Sequence, residues 1–149
     1  MQKYRRSKTQ VYVHFVWATY QRLPLVSQEI EREVYRVISA ICRRHKCPVI
    51  ALNGMPDHVH LLVALHSMTP YAKLIKEVKS GSSHLISREI IPGEWFAWQG
   101  HYGAFSISFE HLDTVIAYIE NQKQHHTDGT ITDAYEQADE ESNYDSLEA

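Results

Sequence analysis

The sequence predicts an α+β fold, a ferredoxin-like split βαβ arrangement. It comprises an antiparallel four-stranded sheet with helices on one face, plus a C-terminal helix carrying Tyr118. Three observations predict it. Apolar and polar residues alternate from Val11 to Trp17, as on a half-buried strand. Two apolar runs flank Gly54-Met55-Pro56-Asp57, a hairpin connection. Helical periodicities follow the first, third and fourth strand patterns, giving the order strand, helix, strand, strand, helix, strand, helix.

In the first strand, Val11, Val13, Phe15 and Trp17 share one face and Tyr12, His14 and Val16 the other. Ser27 can cap the helix that follows, with Glu29 and Glu31 favourable in its first turn. Ile30, Val34, Val37, Ile38 and Ile41 give that helix its apolar face. Pro48 closes it, and a second strand begins at Pro48 to Leu52. The third strand is predicted over His58 to Leu65. Thr69-Pro70 marks a helix start, Thr as N-cap and Pro at the first helical position. Leu74, Ile75 and Val78 face inward, and Ser80-Gly81-Ser82-Ser83 is a candidate break. Residues 92–103, with their Pro, three Gly and two Trp, read as an irregular loop. Ala104 to Ser108 form the fourth strand. The last amphipathic helix runs from about Leu112 to His126 on Leu112, Val115, Ile116 and Ile119.

A chain of 149 residues is long enough for one domain burying roughly two-thirds of its unfolded surface. No apolar run approaches the ~18 residues needed to cross a bilayer. Met1 to Lys8 is basic but lacks a following apolar core, so no secretory signal is expected. Cys42 and Cys47 are in no zinc-like spacing and are expected to be reduced thiols of a cytoplasmic protein. The net charge of -3 hides an asymmetry. All 15 Lys and Arg lie in residues 1–127, beside 10 acidic residues, whereas residues 128–149 hold 8 acidic residues and none that are basic. The expected organisation is a catalytic domain over 1–127 and an acidic C-terminal tail over 128–149. A basic body suits a polyanionic partner.

The chemistry is carried by two short patterns. On a strand, residues i and i+2 face the same way, so His58 and His60 are neighbours on one face. Val59, Leu61, Val63 and Leu65 then point towards the helices, which leaves the imidazoles on the open face of the sheet. Two neutral imidazoles can ligate a divalent ion but leave its shell incomplete. On the last helix Tyr118 and Gln122 are one turn apart on one flank, with His125 a further turn on. Gln122 can offer a carbonyl oxygen as the missing ligand, and Tyr118 can reach a substrate on the same ion. A divalent ion polarises phosphoryl oxygens during attack on a phosphodiester. A tyrosine phosphoester can be resealed by a nucleic-acid hydroxyl, which favours strand transfer over hydrolysis. His125, the metal or a water can take the phenol proton.

Asp57-His58-Val59-His60-Leu61-Leu62-Val63 with Tyr118-Ile119-Glu120-Asn121-Gln122 resembles the single-tyrosine HUH transposases of insertion sequences, the IS200-like transposases, and their REP-associated relatives. His14-Phe15-Val16-Trp17-Ala18-Thr19 and Gln99-Gly100-His101-Tyr102-Gly103-Ala104-Phe105-Ser106 add to the resemblance, which spans about residues 8 to 126. It implies that His58 and His60 are metal ligands, Gln122 the third ligand and Tyr118 the nucleophile. It implies Mg2+ or Mn2+ as the ion. It implies cleavage and rejoining of single-stranded DNA through a 5′-phosphotyrosine, with recognition of DNA hairpins. It also implies a homodimer, its active sites often shared between subunits.

Lys73, Lys76 and Lys79 on the second helix, and Arg5 and Arg6 within the N-terminal cluster, are candidate phosphate contacts. Trp95, Phe96, Trp98 and Tyr102 can stack on bases or pack in the core. Two rival functions stay open at this point: a non-catalytic hairpin-binding protein, and a plain metal-dependent hydrolase using His58, His60 and a histidine such as His14.

Overall fold

The computed structural model describes residues 7–138. Four strands, β1 (Tyr12–Ala18), β2 (Val49–Met55), β3 (His58–Ala64) and β4 (Gly103–Ile107), form one antiparallel sheet in the order β2-β3-β1-β4. Helix α1 (Glu31–Arg44) joins β1 to β2, and α2 (Tyr71–Leu85) with a π-helical turn (Ile86–Ile90) precedes the loop to β4. This is the predicted split βαβ topology.

Period-two alternation sorts the two faces. Val13, Phe15 and Trp17 of β1 and Val59, Leu61 and Val63 of β3 are buried in a core with Val34, Ile38 and Ile41 of α1 and Leu74, Ile75 and Val78 of α2. The opposite face is not left open. Helix α3 (Leu112–Glu120) lays Val115 and Ile119 on Ala51 and Leu62, making a second, smaller core. The apolar stripe predicted for the last helix is therefore used, and what it covers is the face that holds the histidines. His14, His58 and His60 become buried polar residues.

Several local expectations are corrected. α1 begins four residues after Ser27, whose carbonyl accepts from the backbone N–H of Ile30 and Glu31 in a preceding turn. Thr69 does not cap α2; its hydroxyl donates to the His45 carbonyl, and Pro70 takes the N-cap position. The helix runs on through Ser80 to Ser83. Gly81 is there because the α1–α2 contact is close: a Cβ at this position would lie 2.9 Å from Ile41 Cδ1. The last helix does break, at Asn121, whose backbone leaves the helical region; α3 stops at Glu120 and a separate α4 runs Gln122–Asp128. Gly129, at φ 69°, ends α4 and lets the chain turn back. Residues 131–138 then fold over the covered face, where Tyr135 packs against the second core and Ala138 is buried.

Candidate functional site

The site is assembled from β1, β3, α3, α4 and the returning segment after α4. His58 and His60 stand two residues apart on β3, with ring centroids 5.2 Å apart. His58 Nδ1 lies 2.7 Å from Asp57 Oδ1, which leaves its Nε2 facing the site. That Nε2 is 3.0 Å from Gln122 Oε1. His60 turns its Nδ1 towards His14 Nε2, at 2.9 Å, and its Nε2 towards Glu136 Oε2, at 2.9 Å. The Glu136 oxygen is also 3.3 Å from His58 Nε2. Tyr118 is buried, its ring centroid 6.0 Å from that of His60. Its hydroxyl donates to Glu136 Oε1 at 2.5 Å and accepts from the Thr132 backbone N–H at 3.0 Å.

The four predicted site residues His58, His60, Tyr118 and Gln122 are thus brought together within one chain. Two further residues join them. Glu136 binds Tyr118, Gln122 and both imidazoles; His126 Nε2 lies 2.8 Å from Gln122 Oε1 and 3.3 Å from Glu136 Oε1. His125 does not reach the phenolic oxygen. It stacks on the Tyr118 ring at 4.6 Å and 21°, with its Nδ1 on Thr130 Oγ1. His14 lies behind His60, not among the groups facing Tyr118.

The electrostatics follow from burial and these contacts. Burial depresses the basicity of His58, yet hydrogen bonding to Asp57, Glu136 and Gln122 outweighs it and lifts the imidazole to about 9. Burial lowers His14 to about 3, and also lowers His60. For Glu136, burial is overcome by hydrogen bonds from His58 and His60, and the carboxyl falls well below the usual carboxylate range. Burial and the hydrogen bond to Glu136 raise the Tyr118 phenol to about 12. These contacts favour a protonated His58 against an ionised Glu136. The His58 Nε2, His60 Nε2 and a Glu136 oxygen lie within 4.8 Å of one another, a spacing that can close on one ion. Two imidazoles with a carboxylate and a carboxamide oxygen form a mixed N/O donor set of a kind that can hold a divalent ion. A groove of about 350 Å³, lined by Arg22, Pro24 and Met55 among others, opens beside His58 and His126.

The proposed DNA contacts lie elsewhere. Lys73 and Lys76 are exposed on α2, on the other side of the sheet from the histidines. Lys79 is half-buried. Its ammonium donates to the carbonyls of Gln99 (2.6 Å) and His101 (2.9 Å), and so ties the loop before β4 to α2. Arg5 and Arg6 lie outside the described residues. Phe96 packs on Trp98, Trp98 on Trp17 and Tyr102 on Phe15, within the core cluster; Trp95 alone of the four is largely exposed, edge-on to Tyr20. No described helix is long and apolar enough to cross a membrane.

Comparison with known proteins gives a consistent picture. A family model described as "Transposase IS200 like" matches residues 7–122. The ISDra2 transposase TnpA of Deinococcus radiodurans is 24% identical over 127 residues, covering 82% of this chain and 91% of the relative. A crystal structure of a candidate transposase from Deinococcus radiodurans R1 superposes with a TM-score of 0.62 at 25% identity, over 82% of this chain and 98% of that one. A REP-associated tyrosine transposase, solved bound to a REP hairpin, shares the fold with a TM-score of 0.60 at 16% identity, over 88% of this chain and 76% of the other. Glu136 lies beyond the residues that the family model matches.

Proposed function

This chain belongs to the IS200-like transposase family, and from that premise we propose that it cuts and rejoins single-stranded DNA through a covalent link between Tyr118 and a 5′-phosphate. The observation that carries the reading is the convergence of the Tyr118 hydroxyl and the Nε2 atoms of His58 and His60 on one carboxylate, that of Glu136.

His58 and His60 would hold the ion, Mg2+ or Mn2+, with Gln122 Oε1 as the third ligand and Glu136 Oε2 within reach of the same place. When bound, the ion supplies charge stabilisation to the phosphoryl oxygens. The protein's own groups do the rest. Asp57 accepts from His58 Nδ1–H and keeps that ring's other nitrogen aimed into the site. The Thr132 N–H fixes the phenolic oxygen from one side, and Glu136 Oε1 accepts its hydrogen bond from the other. The phenol is mostly protonated at neutral pH, so attack on phosphorus needs such an acceptor. Attack by the Tyr118 oxygen forms the phosphotyrosine and releases a DNA 3′-hydroxyl. A 3′-hydroxyl attacking that phosphorus reseals the strand and returns the phenol, so no external energy source enters.

For partners, we infer single-stranded DNA bearing hairpins, in line with the hairpin held by the REP-associated relative. Lys73 and Lys76 are the exposed cations proposed to meet its phosphates. The protein is proposed to form a homodimer; the meeting of the tyrosine and the histidines of a single chain supports a reading in which each site is built within one protomer.

The test is a denaturing gel of protein mixed with a hairpin-bearing single strand and Mn2+ or Mg2+. The wild type is expected to give a covalent protein–DNA band and Tyr118→Phe none. His58→Ala is expected to lose the band while hairpin binding persists. A band that survives in Tyr118→Phe contradicts the assignment.

A further inference from the structure

His14 is fully buried in the middle of β1, on the site face of the sheet. Its register partners are Leu62 of β3 and Phe105 of β4, so His60 is its diagonal neighbour across the β1–β3 ladder. The two rings stack at 5.2 Å and 26°, and His14 Nε2 meets His60 Nδ1 at 2.9 Å. Phe105 at 6.2 Å, Tyr135 at 6.0 Å and Leu62 surround the ring, and the Glu136 carboxylate is close enough for its charge to act on it. Among the described residues His14 Nδ1 has no hydrogen-bond partner. A buried polar atom left unpaired costs about 1–3 kcal/mol, and an apolar side chain here would avoid that. Packing alone therefore gives no reason for an imidazole at residue 14, and its one side-chain hydrogen bond among the described residues, to His60, does.

That contact bears on what His60 can do. An imidazole ligates through a nitrogen that carries no proton. For His60 to ligate through Nε2, the nitrogen facing Tyr118 and Glu136, its proton must sit on Nδ1. There it needs an acceptor, and His14 Nε2 is the one within reach. His14 then carries its own proton on Nδ1. In the opposite arrangement His14 Nε2–H donates to His60 Nδ1, and His60 Nε2–H donates to Glu136 Oε2. Each arrangement keeps one proton per ring. Passing between them moves each proton from Nε2 to Nδ1 of its own ring, with none gained or lost by the pair.

We infer that His14 is a positioning residue: it accepts the His60 Nδ1–H when an ion binds, so that His60 Nε2, which donates to Glu136 in the ion-free protein, is free to ligate a divalent ion. Asp57 does the same for His58, so the two ligands have unlike backing groups, a carboxylate and an imidazole. The inference rests on the reading of His58 and His60 as ligands given above.

The experiment titrates Mn2+ alone into the full chain and reads free Mn2+ by electron paramagnetic resonance, for the wild type, His14→Leu, His14→Gln and His58→Ala. Loss of a group that orients a ligating histidine weakens ion binding about 10- to 100-fold, and that loss is expected for His14→Leu. His14→Gln, whose amide oxygen can stand near the position of Nε2, is expected to restore most of the affinity. A merely structural residue would show no such rescue. Equal Mn2+ affinity in folded His14→Leu and wild type overturns the inference alone. A wild type that binds Mn2+ no better than His58→Ala overturns the metal reading and this inference with it. Should His14→Leu fail to fold, two-bond nitrogen–proton correlation spectra of the wild type at saturating Mg2+ decide the matter. A proton on His60 Nδ1 and on His14 Nδ1 is expected; a proton on His14 Nε2 overturns the inference.

Discussion

The phenolic hydroxyl of Tyr118 donates to Oε1 of Glu136, while Oε2 of the same carboxylate faces the Nε2 atoms of His58 and His60. One side chain, from a segment outside the sheet and its main helices, touches both the proposed nucleophile and the two proposed ligands. Glu136 keeps its negative charge at neutral pH because His58 and His60 hydrogen-bond to it. That charge lets it accept the phenol's hydrogen bond, while the same depressed pKa makes it a weak base for as long as both imidazoles hydrogen-bond to it.

Replacing that acceptor should slow the chemistry and spare DNA binding. Glu136→Gln is expected to reduce the rate of covalent adduct formation about 100-fold, within the usual range for a proton-transfer group. Hairpin affinity, measured by fluorescence anisotropy, should stay unchanged. An adduct formed at the wild-type rate would remove Glu136 from the reaction.

Gly103 of β4 is what lets Glu136 approach. A Cβ there would sit 2.0 Å from the Gln137 carbonyl oxygen and 2.9 Å from the Phe105 ring. Gly103→Ala must therefore push residues 136–138 off the sheet. It should lower Tm by about 3–10 °C, the effect of a moderate overpacking in a chain of this size. Adduct formation should fall as in Glu136→Gln, and the double variant should be no slower than Glu136→Gln alone. Additive slowing in the double variant would show that Gly103 acts by another route.

His58 sets a pH dependence with a definite sign. Its folded pKa of about 9 lies above the ordinary 6.5, so its charged form stabilises the metal-free protein. That contribution is full below about pH 6.5 and is lost as pH rises through about 9. An ion binding at Nε2 must displace the same proton. Mn2+ affinity should therefore rise with pH across this window, by up to about tenfold per unit. Calorimetry in two buffers of different ionisation enthalpy should count about one proton released near neutral pH. Affinity that is flat with pH would contradict the role given to His58.

Asp57 backs His58 at 2.7 Å. Asp57→Asn should weaken Mn2+ binding about 10- to 100-fold with hairpin affinity preserved, both measurable by titration. An unchanged Mn2+ affinity would show that the ring holds its orientation without the carboxylate.

The pattern of residues carried much of this in advance. His58 and His60 are legible because strand periodicity puts them on one face while Val59, Leu61 and Val63 demand the other. Tyr118 and Gln122 are legible from one helical turn of separation, which survives the break at Asn121. Glu136 was not. It is one of 8 acidic residues in 128–149, and no period marks it out. The contact exists only because the chain reverses after Gly129 and finds a close approach at Gly103, two tertiary events. Gly129 after the last helical residues was the available hint that the chain turns there. His126 was missed for a related reason, since its direction depends on where α4 starts after Asn121. Lys79 looked like a third member of a basic helix face, and its partners, two loop carbonyls, are invisible to spacing.

The most direct test of the central claim is tandem mass spectrometry of the protein–DNA adduct after protease and nuclease digestion. The account predicts a single nucleotide-modified peptide, with the phosphoester on Tyr118. A phosphoester on another residue, such as nearby Tyr135, or cleaved DNA with no modified peptide at all, would contradict it.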